Sequence, residues 1–377
     1  MKAAKTITKT MTKSLQLLTA ALFIVASVTA ANAENWPLFK NNTLRNGTMD
    51  AGVTRAVPFM GHRTWTTQLN QNIASSPALY KGRLYFGTND GTLYALNAAT
   101  GEQIWEFDTP NWITSSPAVV NGKVFFGGFD GKLYCVNADT GEQIWKFTTS
   151  NSVQSSPAVA DDVVYFGSTD GFVYAVSIKT GWQKWKFKTD SAVTGSPVVA
   201  DGVVYIGNRN CKMYAIDAAT GKMKWRAIVG GPITSAPAVA DGLLYFTSQD
   251  GKIYCARIKH QAVIWKYDAK AQIETSPLVY NGRVIFGDIS GRVTALDAKT
   301  GAKQWKYMTG DSVFSSAAAL GNHIFIGSNS DKLYALDINT GTPAWAVNLE
   351  ANILAAPVVS NERIIVPTAG GNICAID

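Results

Sequence analysis

From residue 58 to residue 377, apolar and polar positions recur in the same order every 40 residues. One copy, residues 113–147, shows the pattern. Ile113 to Val120 is a stretch of small residues and is predicted as strand A. Lys123 to Gly127 is an apolar and aromatic run, strand B; Lys132 to Val136 is strand C; Gln143 to Phe147, carrying Trp145, is strand D. Strand B does not alternate. Val124-Phe125-Phe126 and its counterpart Val164-Tyr165-Phe166 are apolar on both sides, as in a strand covered on both faces. Asn121-Gly122, Asp130-Gly131 and Asp139-Thr140-Gly141 separate the segments. Such residues favour tight reversals because they tolerate positive φ. Short turns force antiparallel neighbours, so each copy reads as a four-stranded antiparallel meander.

The landmarks keep step along the whole stretch. Trp65, Trp105, Trp145, Trp185, Trp225, Trp265, Trp305 and Trp345 are each 40 residues apart. Ser-Pro steps at Pro77, Pro117, Pro157, Pro197 and Pro277 follow the same period, as do Thr-Gly turns at Gly101, Gly141, Gly181, Gly221, Gly301 and Gly341. A period near 40 signals a propeller or a solenoid. Proline in strand A fits only an edge, here the innermost strand beside a central channel. The final copy stops at Asp377, after its C strand, while Trp65 lies in an orphan D strand. Pairing the two completes a ring and hides the open edges. The fold is therefore predicted as all-β: an eight-bladed β-propeller whose last blade is closed by the N-terminal strand around Trp65. An open solenoid, the alternative, would need capping repeats, and none is evident.

The first 33 residues differ. Lys2, Lys5, Lys9 and Lys13 precede an apolar run from Leu15 to Val28 and the small-x-small site Ala31-Asn32-Ala33. This reads as a secretory signal peptide over 1–33, cleaved after Ala33, then an N-terminal extension over 34–57 and the propeller over 58–377. The apolar run is short for a membrane span. A periplasmic or secreted location follows, with no transmembrane segment after cleavage. The formal charge of +7 loses the four leader lysines, leaving 30 basic residues against 27 acidic ones. No basic stripe remains that would speak for nucleic acid.

The segment Ala295-Leu296-Asp297-Ala298-Lys299-Thr300-Gly301 with Trp305, and Ala215-Ile216-Asp217 with Thr220-Gly221 and Trp225, resemble the tryptophan-docking repeat of pyrroloquinoline-quinone (PQQ) propellers. The resemblance spans the eight copies, and Trp36-Pro37-Leu38-Phe39 is similar to that family's opening. It implies the propeller fold. For function it implies either a quinoprotein dehydrogenase, with PQQ, Ca²⁺ and a catalytic Asp, or a non-catalytic BamB-like subunit of outer-membrane protein assembly.

The candidate chemistry is sparse. The eight tryptophans read as structural: each can cover a neighbouring blade while its N–H finds a backbone acceptor. Forty residues hold four strands and leave only short connections, whereas function usually rides on extended loops. Cys135, Cys255 and Cys374 read as small core hydrophobes; Cys211 replaces a turn glycine and is the candidate exposed thiol. His62, His260 and His323 occupy unrelated repeat positions. Asp90, Asp130, Asp170 and Asp250 recur at hairpin tips as turn formers, with a ring of Ca²⁺ ligands as the alternative. Ser75, Ser115, Ser155 and Ser315 have no partner His and are read as filling the channel. No catalytic or metal-ligating set is predicted, and no cofactor is expected.

The D–A and B–C connections should emerge on one face of the ring, the A–B and C–D turns on the other. Only the first set varies between copies. It includes Asn111, Trp112, Phe129, Asp190, Arg209, Gln272, Asp311 and Phe314, the candidate partner-binding residues. The bland alternative is that they plug the funnel. On the opposite face, Arg257-Ile258-Lys259-His260-Gln261 replaces the usual turn and makes a basic spot. The expected function is a non-catalytic periplasmic scaffold, monomeric on its own, that binds a protein or peptide. A PQQ/Ca-dependent dehydrogenase and an envelope-polymer or carbohydrate binder are the alternatives.

Overall fold

A computed structural model describes residues 59–69, 71–259 and 262–377. The residues read as a signal peptide, the N-terminal extension, Pro58, Asn70, His260 and Gln261 lie outside the described residues. All the regular structure described is β, in eight sheets of four strands each. Blade 1 comprises Ala78–Tyr80, Arg83–Gly87, Thr92–Asn97 and Gln103–Asp108, paired antiparallel in chain order. Blades 2 to 7 repeat it. Blade 8 takes Val358–Val359, Ile364–Pro367 and Asn372–Ile376 from the C-terminus, and Arg63–Gln68 from the N-terminus as its outer strand. Trp65 pairs with Ala375, so the predicted closure is the observed one.

One expectation needs correction. Strand A is shorter than predicted: in blade 2 only Ala118–Val120 is strand, not Ile113 to Val120. Pro117 offers no N–H to a ladder, and the serines before it are committed elsewhere. Ser115 Oγ donates to Gly127 O and accepts from Gly127 N–H. Ser76 N–H donates to Ser116 Oγ, Ser116 N–H to Ser156 Oγ and Ser156 N–H to Ser196 Oγ, at 3.0, 2.9 and 2.9 Å. Ala356 N–H reaches Ser76 Oγ at 2.9 Å across the chain ends. The inner serines thus form belts of hydrogen bonds around the axis. These belts stop where Ala236 and Ala356 lack a hydroxyl.

The outer strands lock the blades together. Trp145, Trp185 and Trp305 are buried, and their indole N–H groups donate to Ile178 O, Ala218 O and Ile338 O at 3.2, 2.8 and 2.9 Å. Each ring lies on the Thr-Gly turn of the next blade. Gly181 has φ +71°, and a Cβ there would come within 2.7 Å of Trp145. That turn therefore needs glycine twice over, for its backbone and for its neighbour.

The same turns carry an acid-sensitive contact. Thr220 donates both its hydroxyl and its N–H to Asp217 Oδ1, each at 2.9 Å. The Thr220 hydroxyl, then its N–H, then Lys224 hold the Asp217 carboxyl down to about 2. The Thr300 hydroxyl and N–H likewise lower Asp297. A depressed folded-state pKa gives stability that is present above the unfolded value, about 3.9, and lost as pH falls through the folded value. Urea midpoints should therefore fall between about pH 4 and pH 2. Asp217→Asn should flatten that fall, and an unchanged acid slope in the variant would count against these contacts.

Candidate partner-binding face

Backbone bonds confirm the two faces. Thr109 N–H bonds Gly91 O and Phe129 N–H bonds Trp112 O, joining D–A and B–C connections; Ala98 N–H bonds Gly82 O, joining the C–D and A–B turns. The innermost position of the variable face is filled by Ala74, Thr114, Gln154, Thr194, Thr234, Glu274, Phe314 and Leu354, one per blade. The funnel mouth is therefore divided. Blades 2 to 6 give it a polar arc, and blades 7, 8 and 1 give it an apolar one.

The predicted residues separate into exposed groups and groups consumed by the scaffold. Trp112 is 50% exposed and leans on the half-buried Phe129, with ring centroids 5.7 Å apart. Phe314 is 36% exposed and lies three blade steps from Trp112, so the two aromatics form separate spots. Arg209 is exposed. Asp190 is consumed: its carboxylate accepts from Asn208 Nδ2, Asn210 Nδ2 and Tyr214 OH, each at 2.8 Å, and from Lys212 Nζ. Asn111 and Asp311 shape their own loops, accepting from Trp112 N–H at 2.8 Å and Ser312 N–H at 2.6 Å. Gln272 donates to Glu274.

Sequence reasoning missed Glu274. Its carboxylate also accepts from Gln249 Nε2 at 2.9 Å and Thr234 Oγ1 at 3.1 Å. A signal was available: a charged residue at a position that is otherwise small, polar or apolar. Ile289, 38% exposed on the same face, was missed as well.

The hairpin-tip aspartates are turn formers, as expected. Asp170 Oδ1 accepts Phe172 N–H at 3.0 Å while Oδ2 accepts Tyr174 OH at 2.7 Å. Burial, then that bond, pushes the Tyr174 phenol up. Ser75, Ser115, Ser155 and Ser315 are fully buried, and Ser75, Ser115 and Ser315 donate to backbone carbonyls. Among the described residues no group of three or more His, Cys, Asp or Glu is placed to hold a metal ion. On the opposite face Arg257 and Lys259 are exposed, and Trp182, 78% exposed, projects from the turn of blade 3.

All four cysteines are free. Burial pushes the Cys135 and Cys255 thiols up to about 12 and raises Cys374 too. Cys211 is only half-buried and holds φ +59°, a turn-glycine conformation. One thiol should therefore react with a disulfide reagent in the native protein and four in denaturant. Cys211→Gly should remove the native reaction and stabilise the chain by about 0.5–1 kcal/mol by relieving the left-handed strain; a native thiol surviving in that variant would contradict the assignment.

A sequence profile of the β-propeller of beta-alanine-activating enzyme matches residues 160–377. One for outer membrane protein assembly factor BamB matches residues 26–113. No curated protein matches the chain. Among solved structures, BamB from Moraxella catarrhalis aligns with TM-score 0.74 at 19% identity, covering 84% of this chain and 99% of that one. A europium-containing methanol dehydrogenase aligns with TM-score 0.78 at 13% identity, covering 89% of each chain. Quinohemoprotein alcohol dehydrogenase from Comamonas testosteroni aligns with TM-score 0.77 at 15% identity, covering 92% of this chain and 81% of that one. At such identities the likeness establishes the fold.

Proposed function

We propose a function for this chain from one premise: it is a PQQ-like β-propeller, and over residues 160–377 it belongs to the family of the beta-alanine-activating enzyme β-propeller. On that premise it is a non-catalytic scaffold of the cell envelope that holds a protein or peptide on its variable-loop face. The observation that carries the reading is the exposure of Trp112, Ile289 and Phe314 on that face of an otherwise minimal ring. Large apolar groups beside polar ones are what partner surfaces use. The match to an outer membrane protein assembly factor over residues 26–113 supports an envelope setting, and so does the leader read from the sequence. No helix among the described residues is long and apolar enough to cross a membrane.

A photo-cross-linking amino acid placed at Trp112 or Phe314 should capture a partner in envelope extract, while the same group at Trp182, on the opposite face, should not. Capture from Trp182 alone would overturn the choice of face.

The dehydrogenase reading draws on structural neighbours that are equally near. A Ca²⁺ takes six to eight oxygens, whereas the innermost ring offers one carboxylate, Glu274, already engaged by two glutamines and a threonine. These residues do not fit a PQQ–Ca²⁺ cradle, and no reaction step is derived through one. Titration with PQQ and Ca²⁺ separates the readings: saturable binding with alcohol-dependent dye reduction would favour the enzyme.

A further inference from the structure

The chain's charge, nearly balanced beyond residue 33, is spread unevenly once the outer strands stand side by side as the wall of the ring. The outer strand of blade 1, Gln103–Asp108, carries Glu106 and Asp108, and that of blade 7, Pro343–Asn348, carries no charge. Blade 3 presents Gln183–Lys188, with Lys184, Lys186 and Lys188 and no acid. Blade 4 follows with Met223–Ile228, carrying Lys224 and Arg226. All five cations are exposed. The cause is local. Trp185 and Phe187 turn toward blade 4, where Trp185 bonds Ala218 O and the Phe187 ring meets Tyr214 at 5.6 Å. Alternation sends Lys186 and Lys188 to the other side of the strand. That strand is the last of its sheet, so no further strand covers them.

Four of the five cations keep their charge uncompensated. Lys224 pairs with Asp217 at 3.2 Å. Among the described residues no carboxylate lies within ion-pair distance of Lys184, Lys186, Lys188 or Arg226. Lys186 and Lys188 lie over the Phe172 ring, 4.7 and 4.2 Å from its centre, and Lys188 Nζ donates to the Asp170 carbonyl at 3.1 Å. These contacts place the ammonium groups without neutralising them. The Asp170 carboxylate itself is taken by the N–H groups of Ser150 and Phe172 and by Tyr174 OH. Apolar groups share the wall. Trp182, immediately before the blade 3 strand, is 78% exposed, the most of any large apolar side chain described. Met223 and Ile228 flank the blade 4 cations and are exposed as well.

We propose that the wall of blades 3 and 4 docks on an anionic lipid surface. Indole rings settle at the level of lipid headgroups, and lysine stems reach along an apolar boundary while their ammonium groups meet lipid phosphates. A soluble polyanion would satisfy the cations but would leave Trp182, Met223 and Ile228 in water. Docking lays the ring on its side, so the variable-loop face stays open to a partner. The proposal draws on the envelope setting given above but not on the choice of partner face, and its test contains no protein partner.

The test is cosedimentation of the chain from residue 34, which contains every strand of the closed ring, with vesicles of phosphatidylglycerol and phosphatidylcholine. Binding that weakens as salt rises is expected, with little binding to phosphatidylcholine alone. Lys184→Gln/Lys186→Gln/Lys188→Gln should lower the partition at least about tenfold. Arg257→Gln/Lys259→Gln/Lys299→Gln removes equal charge from exposed turns of blades 5 and 6 and should bind like the unmodified chain. Trp182→Ser should weaken vesicle binding severalfold with the lysines intact. All these positions are exposed, so unchanged urea midpoints show that each variant is folded. Absence of binding to the anionic vesicles, equal losses in the two triple variants, or retention on heparin without vesicle binding overturns the proposal. Vesicle binding indifferent to Trp182→Ser overturns the lipid contact in favour of bare charge attraction.

Discussion

Removal of residues 59–69 should abolish the closed ring. The deletion leaves Asn372–Ile376 as an unpaired outer edge, because among the described residues Arg63–Gln68 is its only partner on that side. It also removes Phe59, whose ring packs edge-on against Phe325 at 5.6 Å and whose carbonyl accepts Trp345 Nε1 at 2.8 Å. Two junctions are damaged at once, and an exposed strand edge invites pairing with other chains. Loss of cooperative unfolding and a shift to aggregates on size exclusion are expected. The repair is equally specific. The C–D turns span five residues, as between Asp337 and Thr342, and Asp377 followed by residues 58–62 restores that spacing. Gly61, at φ +79° under Trp345, already occupies the turn-glycine place. Fusing residues 58–69 directly after Asp377, in a chain that begins at residue 70, should restore a monomeric, cooperatively unfolding protein. If the deletion alone folds normally, the closure is not what holds the ring.

The second large effect separates two tryptophans that look alike in sequence. Trp185→Ala should cost about 3–5 kcal/mol, the range for a buried aromatic truncated in a core. The finer test is replacement by phenylalanine. Trp185 donates to Ala218 O at 2.8 Å, so Trp185→Phe loses that bond as well as volume, about 1 kcal/mol beyond packing. Trp65 has no acceptor for its indole N–H, so Trp65→Phe removes a buried unsatisfied donor and should be the milder change. Urea unfolding of the two variants measures the difference. A costlier Trp65→Phe would mean that its N–H is satisfied.

The periodic part of the sequence was legible in blade number, strand order and closure. Evenly spaced tryptophans and turn glycines specify blade number because they repeat a local requirement from copy to copy, and the orphan D strand specifies closure. Strand A was over-extended because the sequence cannot tell a ladder from the sideways hydrogen bonds of Ser76 and Ser116. On the variable face, Trp112 and Phe314 proved exposed, but Asp190 turned out to be tied down by partners 18 to 24 residues away. Glu274 passed unnoticed because its partners Gln249 and Thr234 sit in other connections.

The division of blade 8 between the two ends of the chain sets a timetable for biogenesis. The outer strand Arg63–Gln68 is synthesised before the seven blades that separate it from its partner, Asn372–Ile376. Joining ends so far apart costs roughly 5 kcal/mol in chain entropy, a sum that the finished seam must outweigh. Until Asn372–Ile376 has been made, the edge of Arg63–Gln68 has no strand to pair with. A chain stopped short of Asn372 cannot fasten this clasp, so ring formation waits on synthesis of all eight blades.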